Sequence, residues 1–333
     1  MVRVAVFDTK PYDRQFLQAA NRGYGHDLVF LEARLQPGTA ALALECDAVC
    51  AFVNDDLGAV TLARLAAGRP RHVALRCTGF NHVDLQAATR LSMTVTRVTA
   101  YSPYSVAEHA VGLILTLNRK FHRAYNRVRE GNFSLDGLLG FDLRGCTVGV
   151  VGTGKIGQVF GAIMAGFGCR IVGYDPYPNP QFTAVGDYLP LAQVLAQADI
   201  LSLHCPLTPE TYHLIDGRAI AAMRQGAMLI NTSRGGLVDT KALIAGLKAR
   251  KLGAVGLDVY EEEAGLFFED RSGEIIDDDQ LQRLLTFPNV LITAHQAFFT
   301  QNALEEIAAV TLENIAEVAA GRPCAHQVCP PPV

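Results

Sequence analysis

The sequence predicts an α/β protein of two doubly wound parallel-sheet domains. Three observations carry that expectation. Short apolar runs alternate with amphipathic or polar segments along the chain, a glycine-rich turn lies mid-chain instead of near the start, and 333 residues suffice for two separate cores. One continuous sheet is the alternative, disfavoured because sheets this long tend to divide. In the first half, apolar runs at residues 2–7, 47–53, 73–77 and 93–98 read as parallel strands covered by helices, a flavodoxin-like arrangement without a phosphate fingerprint. Ser102-Pro103 reads as a helix start, and Val106, Ala110, Leu113, Ile114 and Leu117 continue it as an apolar stripe. The outgoing hinge is placed there. Residues 301–320 carry Leu304, Ile307, Val310, Ile315 and Val318 at helical spacing and stop at Gly321, with Pro323 beyond. This last helix is expected to complete the first domain, so the domains are read as 1–100 with 299–333, and 101–298.

The second domain opens on its strongest motif. Residues 148–151 read as a strand entering Gly152-Thr153-Gly154-Lys155-Ile156-Gly157. In this spacing Gly152 permits the tight turn and Gly154 lets the backbone approach a pyrophosphate. Gly157 lets the following helix pack on the sheet, with its N-terminal amides toward the phosphates. Val159, Phe160, Ile163, Met164 and Phe167 recur at helical spacing, 171–174 reads as the next strand, and Asp175 ends it. A lone glycine pattern is weak evidence. Strand, turn, helix and acidic strand end together define a Rossmann-type βαβ unit. A carboxylate at Asp175 accepts from the two ribose hydroxyls of NAD and repels the extra phosphate of NADP, so the expected cofactor is NAD.

The rhythm continues through residues 200–204, 227–230, 254–258 and 290–293. In an open parallel sheet, ligands bind beyond the carboxyl ends of the strands. Those ends carry Asp175, then His204-Cys205-Pro206, then Asn231-Thr232-Ser233-Arg234-Gly235, then Asp258 followed by Tyr260-Glu261-Glu262-Glu263, and finally His295. Singly, each has a bland explanation: a surface cation, a solvated acidic run, a core histidine. Together they match hydride transfer to a 2-oxo acid, which needs a fixed cation for the carboxylate and ketone oxygen and a proton donor near neutral pH. Arg234 offers a bidentate fork and His295 a proton, while a glutamate within reach would favour the charged ring and orient it. Spacing alone does not choose among the three adjacent glutamates.

On these residues the chain resembles the D-2-hydroxyacid dehydrogenases, and within them the fermentative NAD-dependent D-lactate dehydrogenases. The resemblance runs over nearly the whole length and rests on the 152–157 turn with Asp175, His204-Cys205-Pro206, residues 231–235 and 257–263, and Ala294-His295-Gln296-Ala297-Phe298. It implies NAD-dependent, reversible reduction of pyruvate to D-lactate, with Arg234 anchoring the substrate and polarising its carbonyl, His295 as acid/base and Glu263 as its partner. It also implies that Thr232, Ser233 and Asp258 touch the nicotinamide side of NAD, that His204-Cys205-Pro206 belong to the cofactor site, and that Lys155-Ile156 lie over the pyrophosphate. Lys155 stands where family members vary. In the first domain Arg76-Cys77-Thr78-Gly79-Phe80-Asn81 follows a strand directly, so its backbone amides are expected to hold the substrate carboxylate, with Tyr101 and Phe298 as pocket walls. The resemblance further implies a homodimer or homotetramer assembled through the cofactor domain. A relative acting on glyoxylate, hydroxypyruvate or phenylpyruvate is the alternative. Formate dehydrogenases are disfavoured because they need no glutamate–histidine pair. An NADH-sensing corepressor is disfavoured because no basic stretch or interaction tail accompanies the motif.

Composition agrees with a cytoplasmic enzyme of small molecules. Half the residues are hydrophobic, yet no run is long enough to span a bilayer, and the first apolar run ends at Asp8 without a secretory cleavage pattern. Eight scattered cysteines suit reduced thiols. Cys324-Ala325-His326-Gln327-Val328-Cys329 offers too few ligands for zinc, so no metal is expected. A net charge of −4 with dispersed cations argues against a nucleic-acid face.

Overall fold

The computed structural model describes residues 1–263 and 265–330. Two compact units emerge, Met1–Ser102 with Phe299–Val333, and Pro103–Phe298. Residues 331–333, the end of the expected 299–333 segment, lie outside the described residues.

The first unit is a parallel sheet of β1 (Arg3–Val6), β2 (Asp27–Phe30), β3 (Ala48–Ala51), β4 (His72–Leu75) and β5 (Thr94–Thr96), ordered β2-β1-β3-β4-β5. That is the flavodoxin-like order. β1, β3 and β4 are buried almost throughout, as strands covered on both faces must be. β2 was not among the expected strands. It is a half-buried edge beginning at Asp27, and its apolar run, Leu28-Val29-Phe30-Leu31, is short. Ala308, Leu312 and Ile315 of the helix Gln301–Ala319 join Val4, Val6, Leu17, Cys50 and Ala74 in one core. Thr300 caps that helix, its hydroxyl accepting from the Ala303 amide.

The second unit is a seven-stranded parallel sheet. Its strands are β6 (Thr147–Val151), β7 (Arg170–Tyr174), β8 (Asp187–Tyr188), β9 (Ile200–Leu203), β10 (Ala227–Asn231), β11 (Leu252–Leu257) and β12 (Val290–Ile292), ordered β12-β11-β10-β9-β6-β7-β8. Counted within this unit, the first six strands run in Rossmann order and the seventh extends the edge. Alternation sorts the side chains to two faces. Val151, Leu201, Leu203 and Leu229 enter one core, while Val148, Val150, Ile200 and Ile230 enter the other beneath the helix Pro103–Arg119. The two-residue β8 also escapes sequence reading, being too short to show a period.

The glycine turn joins β6 to the helix Lys155–Gly166. Gly152 has φ +94°, and a Cβ there would stand 2.5 Å from the Cys205 nitrogen, so turn and close approach both demand glycine. A Cβ on Gly157 would lie 2.1 Å from the Gly152 carbonyl oxygen. Backbone cannot swing aside as a side chain can. Gly157→Ala is therefore expected to cost about 2–3 kcal/mol by forcing helix and strand apart. Denaturant unfolding checks this, and a loss under roughly 0.5 kcal/mol would mean that the helix backs away freely.

Candidate active site

At the carboxyl edge of the second sheet, β6 lies between β7 and β9, and the chain connections reverse direction there. The loops after β6 and β9 meet across the crevice, since the Gly152 turn rests on the backbone of His204 and Cys205. A Cβ on Gly154 would meet nothing within 4 Å, which leaves the outer side of the turn open to a ligand. Lys155 is exposed and Ile156 half-buried at the start of the helix. Asp175, directly after β7, ties the turn down: Oδ2 accepts from the Thr153 amide at 2.8 Å and Oδ1 from the Tyr177 amide at 2.9 Å. A carboxylate offers about four acceptor positions, so capacity for ribose hydroxyls remains.

His204 packs its ring 4.8 Å from Phe160 and places Nε2 2.9 Å from Ser202 Oγ. Burial pushes its pKa down to about 3, so at neutral pH it is an uncharged ring and no proton donor. Burial likewise pushes the Cys205 thiol up to about 11, which removes it as a nucleophile. Pro206 is exposed, and its carbonyl accepts from the Thr211 hydroxyl at 2.7 Å.

Asn231 closes β10 and folds the next loop around its own amide, Nδ2 donating to the Arg234 carbonyl at 2.8 Å and Oδ1 accepting from the Ser233 amide at 3.0 Å. Ser233 Oγ donates to the Cys205 carbonyl at 2.6 Å. Thr232 is buried, and its hydroxyl has no hydrogen-bond partner among the described residues. Arg234 is half-buried and uses Nη1 on the Ser233 carbonyl at 2.7 Å. Gly235 was not singled out in the sequence for packing. A Cβ there would stand 2.1 Å from the Tyr260 carbonyl carbon, so the arginine loop presses directly on the loop after β11.

That second loop separates the three glutamates. Glu261 bonds His213 Nε2 at 2.6 Å and the Thr240 hydroxyl at 2.9 Å. Burial alone would raise its pKa, but these donors outweigh it and hold the carboxyl below the usual range. Glu262 is exposed. Glu263 accepts from the Tyr260 amide at 2.9 Å and places Oε1 2.8 Å from His295 Nδ1. With Nδ1 so engaged, Nε2 is the ring nitrogen left for chemistry. His295 itself has φ +52°, a conformation that a non-glycine residue keeps only when its surroundings impose it. Phe268 and Phe298 stand 5.6 and 6.5 Å from its ring.

Asp258 lies beneath this loop at 0% exposure. Oδ1 accepts from the Thr293 hydroxyl at 2.5 Å and the Gln296 amide at 2.9 Å, and Oδ2 from the Ala297 amide at 2.8 Å. His109 Nε2 lies 3.3 Å from Oδ1. Burial would raise the carboxyl's pKa, but the hydrogen bonds from His109, Thr293 and Ala297 hold it below the ordinary value. His109 and Ser105 were not among the expected site residues. Their one sequence signal is a polar pair four apart on a largely apolar helix.

In the first unit, Arg76 follows β4 at 2% exposure. Nε donates to Asp13 Oδ1 at 3.1 Å, Nη2 to the Asp8 carbonyl at 2.9 Å, and the guanidinium lies over the Phe52 ring. Thr78 and Gly79 are half-buried, and among the described residues their amides donate to nothing. Tyr101 is half-buried near the end of this unit.

Rossmann strand order, a glycine turn with an acidic strand end, and an arginine loop packed on the loop that bears the partner glutamate of a histidine define the class as an NAD-dependent dehydrogenase. Residues 111–297 match the family described as D-isomer specific 2-hydroxyacid dehydrogenase, NAD binding domain. The chain is 51% identical over 330 residues to a 2-hydroxyacid dehydrogenase homolog of Haemophilus influenzae, covering 99% of this chain and 100% of that one. It is 48% identical over 328 residues to D-lactate dehydrogenase of Escherichia coli, covering 98% and 100%. A solved structure reported under the identification of the pyruvate reductase of Chlamydomonas reinhardtii superposes with TM-score 0.93 at 44% identity, covering 98% of each chain. The chain belongs to the D-isomer specific 2-hydroxyacid dehydrogenase family, and it carries that family's NAD-binding domain.

Asp175→Ala removes an acceptor from the turn together with the negative charge at the strand end. Discrimination between NADH and NADPH in kcat/KM is expected to shrink by about 1–3 kcal/mol, roughly fivefold to 150-fold. Equal efficiency with the two cofactors in the unmodified enzyme would remove Asp175 as the determinant.

Proposed function

We propose that this enzyme reduces pyruvate to D-lactate, reversibly, using Arg234, Glu263 and His295 as its catalytic residues. The observation that carries the reading is the 2.8 Å pairing of Glu263 with His295 Nδ1, on a loop pressed against the one that bears Arg234. Bound NADH supplies the hydride. Arg234 binds the substrate carboxylate and polarises the ketone oxygen, its planar fork matching two oxygens at once. His295 delivers a proton from Nε2 to that oxygen as negative charge develops, and Glu263 stabilises the imidazolium while fixing the ring. In the reverse direction the same nitrogen takes the proton back.

The turn 152–157 with Lys155 and Ile156, together with Asp175, His204, Cys205, Pro206, Thr232, Ser233 and Asp258, forms the cofactor site in this reading. The unpartnered Thr232 hydroxyl and the open space outside Gly154 support it. In the first unit, the undonated amides of Thr78 and Gly79 suit a carboxylate. Arg76 acts below that loop as a buried cation, and Tyr101 joins the substrate residues. Phe298, with Phe268, leaves limited room beside His295, which favours a methyl substituent. The D-lactate dehydrogenase and pyruvate reductase names of the similar proteins point to the same substrate.

The protein assembles as a homodimer or homotetramer in this reading, and it works in the cytoplasm. Phe121, Tyr125, Val128, Phe133, Leu135 and Leu139 are all exposed within one short stretch, an apolar surface of the kind that a second copy covers. Eight scattered cysteines, five of them buried, suit a reducing compartment. Among the described residues no helix is long and apolar enough to cross a membrane.

The test is NADH consumption by purified protein against a panel of 2-oxo acids, with chiral analysis of the product. Pyruvate is expected to be the best or near-best substrate and the product D-lactate. L-lactate would overturn the stereochemical assignment, whereas a markedly better rate on phenylpyruvate with a D product would overturn the substrate alone.

A further inference from the structure

We propose that His109 is a positioning residue, holding in place the loop that presents His295. The proposal rests on the reading of His295 as acid/base.

Asp258, as a carboxylate, only accepts. Thr293 has one hydroxyl hydrogen, and the 2.5 Å contact to Asp258 Oδ1 takes it. The 3.1 Å contact between Thr293 Oγ1 and His109 Nε2 is then a hydrogen bond only if the nitrogen donates. Nε2 therefore carries a hydrogen, shared between Thr293 Oγ1 and the Asp258 oxygen at 3.3 Å. His109 is spent on this bond and does not touch the reacting atoms.

Its helix grips the loop twice. Ser105, four residues earlier and so on the same face, donates its hydroxyl to the Ala297 carbonyl at 2.7 Å. Ser105 holds one end of the segment 293–297, and His109 the other. The His295 amide donates to the Asp258 carbonyl at 2.7 Å between these two grips. The helix Pro103–Arg119 is a firm base for them, with Ala107, Ala110, Leu113 and Ile114 buried against the sheet. A residue at φ +52° relaxes once its frame loosens, and a small displacement of a proton donor is costly in rate.

The test compares full-length His109→Leu, His109→Gln, Thr293→Val and His295→Gln with the parent in steady-state pyruvate reduction. His109→Leu removes the donor and is expected to lower kcat by about tenfold to a hundredfold, with KM for NADH changed less than about twofold. His109→Gln keeps an N–H at similar reach and is expected to stay within about threefold of the parent. Thr293→Val breaks the same bond from the other side, together with the Thr293–Asp258 bond, so an unchanged kcat in it counts against the proposal even if the leucine variant does not fold. Equal losses in the leucine and glutamine variants, or an unchanged kcat in His109→Leu or Thr293→Val, would overturn the proposal. His295→Gln separates the two levels of the argument. If it is nearly inactive while His109→Leu is fully active, only the positioning role falls; if it retains activity, the acid–base reading falls and this proposal with it.

Discussion

The buried carboxylate of Asp258 is the contact on which the catalytic edge depends. Removing a charge from water is costly unless donors replace the solvent, and here the replacements are the Thr293 hydroxyl, the Gln296 and Ala297 amides and His109. Three of these donors belong to the loop that bears His295. The same residue reaches the arginine loop through its backbone, its amide donating to the Asn231 carbonyl at 2.9 Å. Asn231 in turn shapes the turn that presents Arg234. One buried anion thus ties together the ends of β10, β11 and β12, and it requires all three to arrive in register.

Beside it, three chemically identical side chains are given three environments. Glu261 is consumed by His213 and Thr240, Glu262 faces solvent, and Glu263 turns toward His295. Two glutamate–histidine pairs therefore sit on one short loop. The His213 pair anchors the peptide that packs on Gly235, whereas the His295 ring stands beside Phe268 and Phe298. Direction of approach, set by the backbone, gives the two pairs different surroundings, and in the proposed function only the second does chemistry.

Much of this was legible before any coordinates. The strands covered on both faces read as continuous apolar runs, and the glycine turn and Asp175 announce themselves because backbone sterics leave few other residues possible there. The polar strand ends were legible for a topological reason, since parallel strands deliver their carboxyl ends to one edge. β2 and β8 were not, one being a half-buried edge and the other only two residues long. The choice among the glutamates needed family resemblance, because a one-residue shift within a loop has no period to reveal it. Ser105 and His109 escaped as well, since the residues they hold lie 192 and 184 positions along the chain.

The central claim is that the Asp258 carboxylate holds the loop that bears His295. Asp258→Asn keeps the shape but turns an acceptor-only group into one that also donates, setting it against donors on both sides. Steady-state kinetics of that variant, with its fold checked by circular dichroism, is the most direct test. The account predicts a fall in kcat for pyruvate reduction of about a hundredfold or more, roughly 3 kcal/mol, in a protein that remains folded. A folded variant within about threefold of the parent, less than 1 kcal/mol, would contradict it.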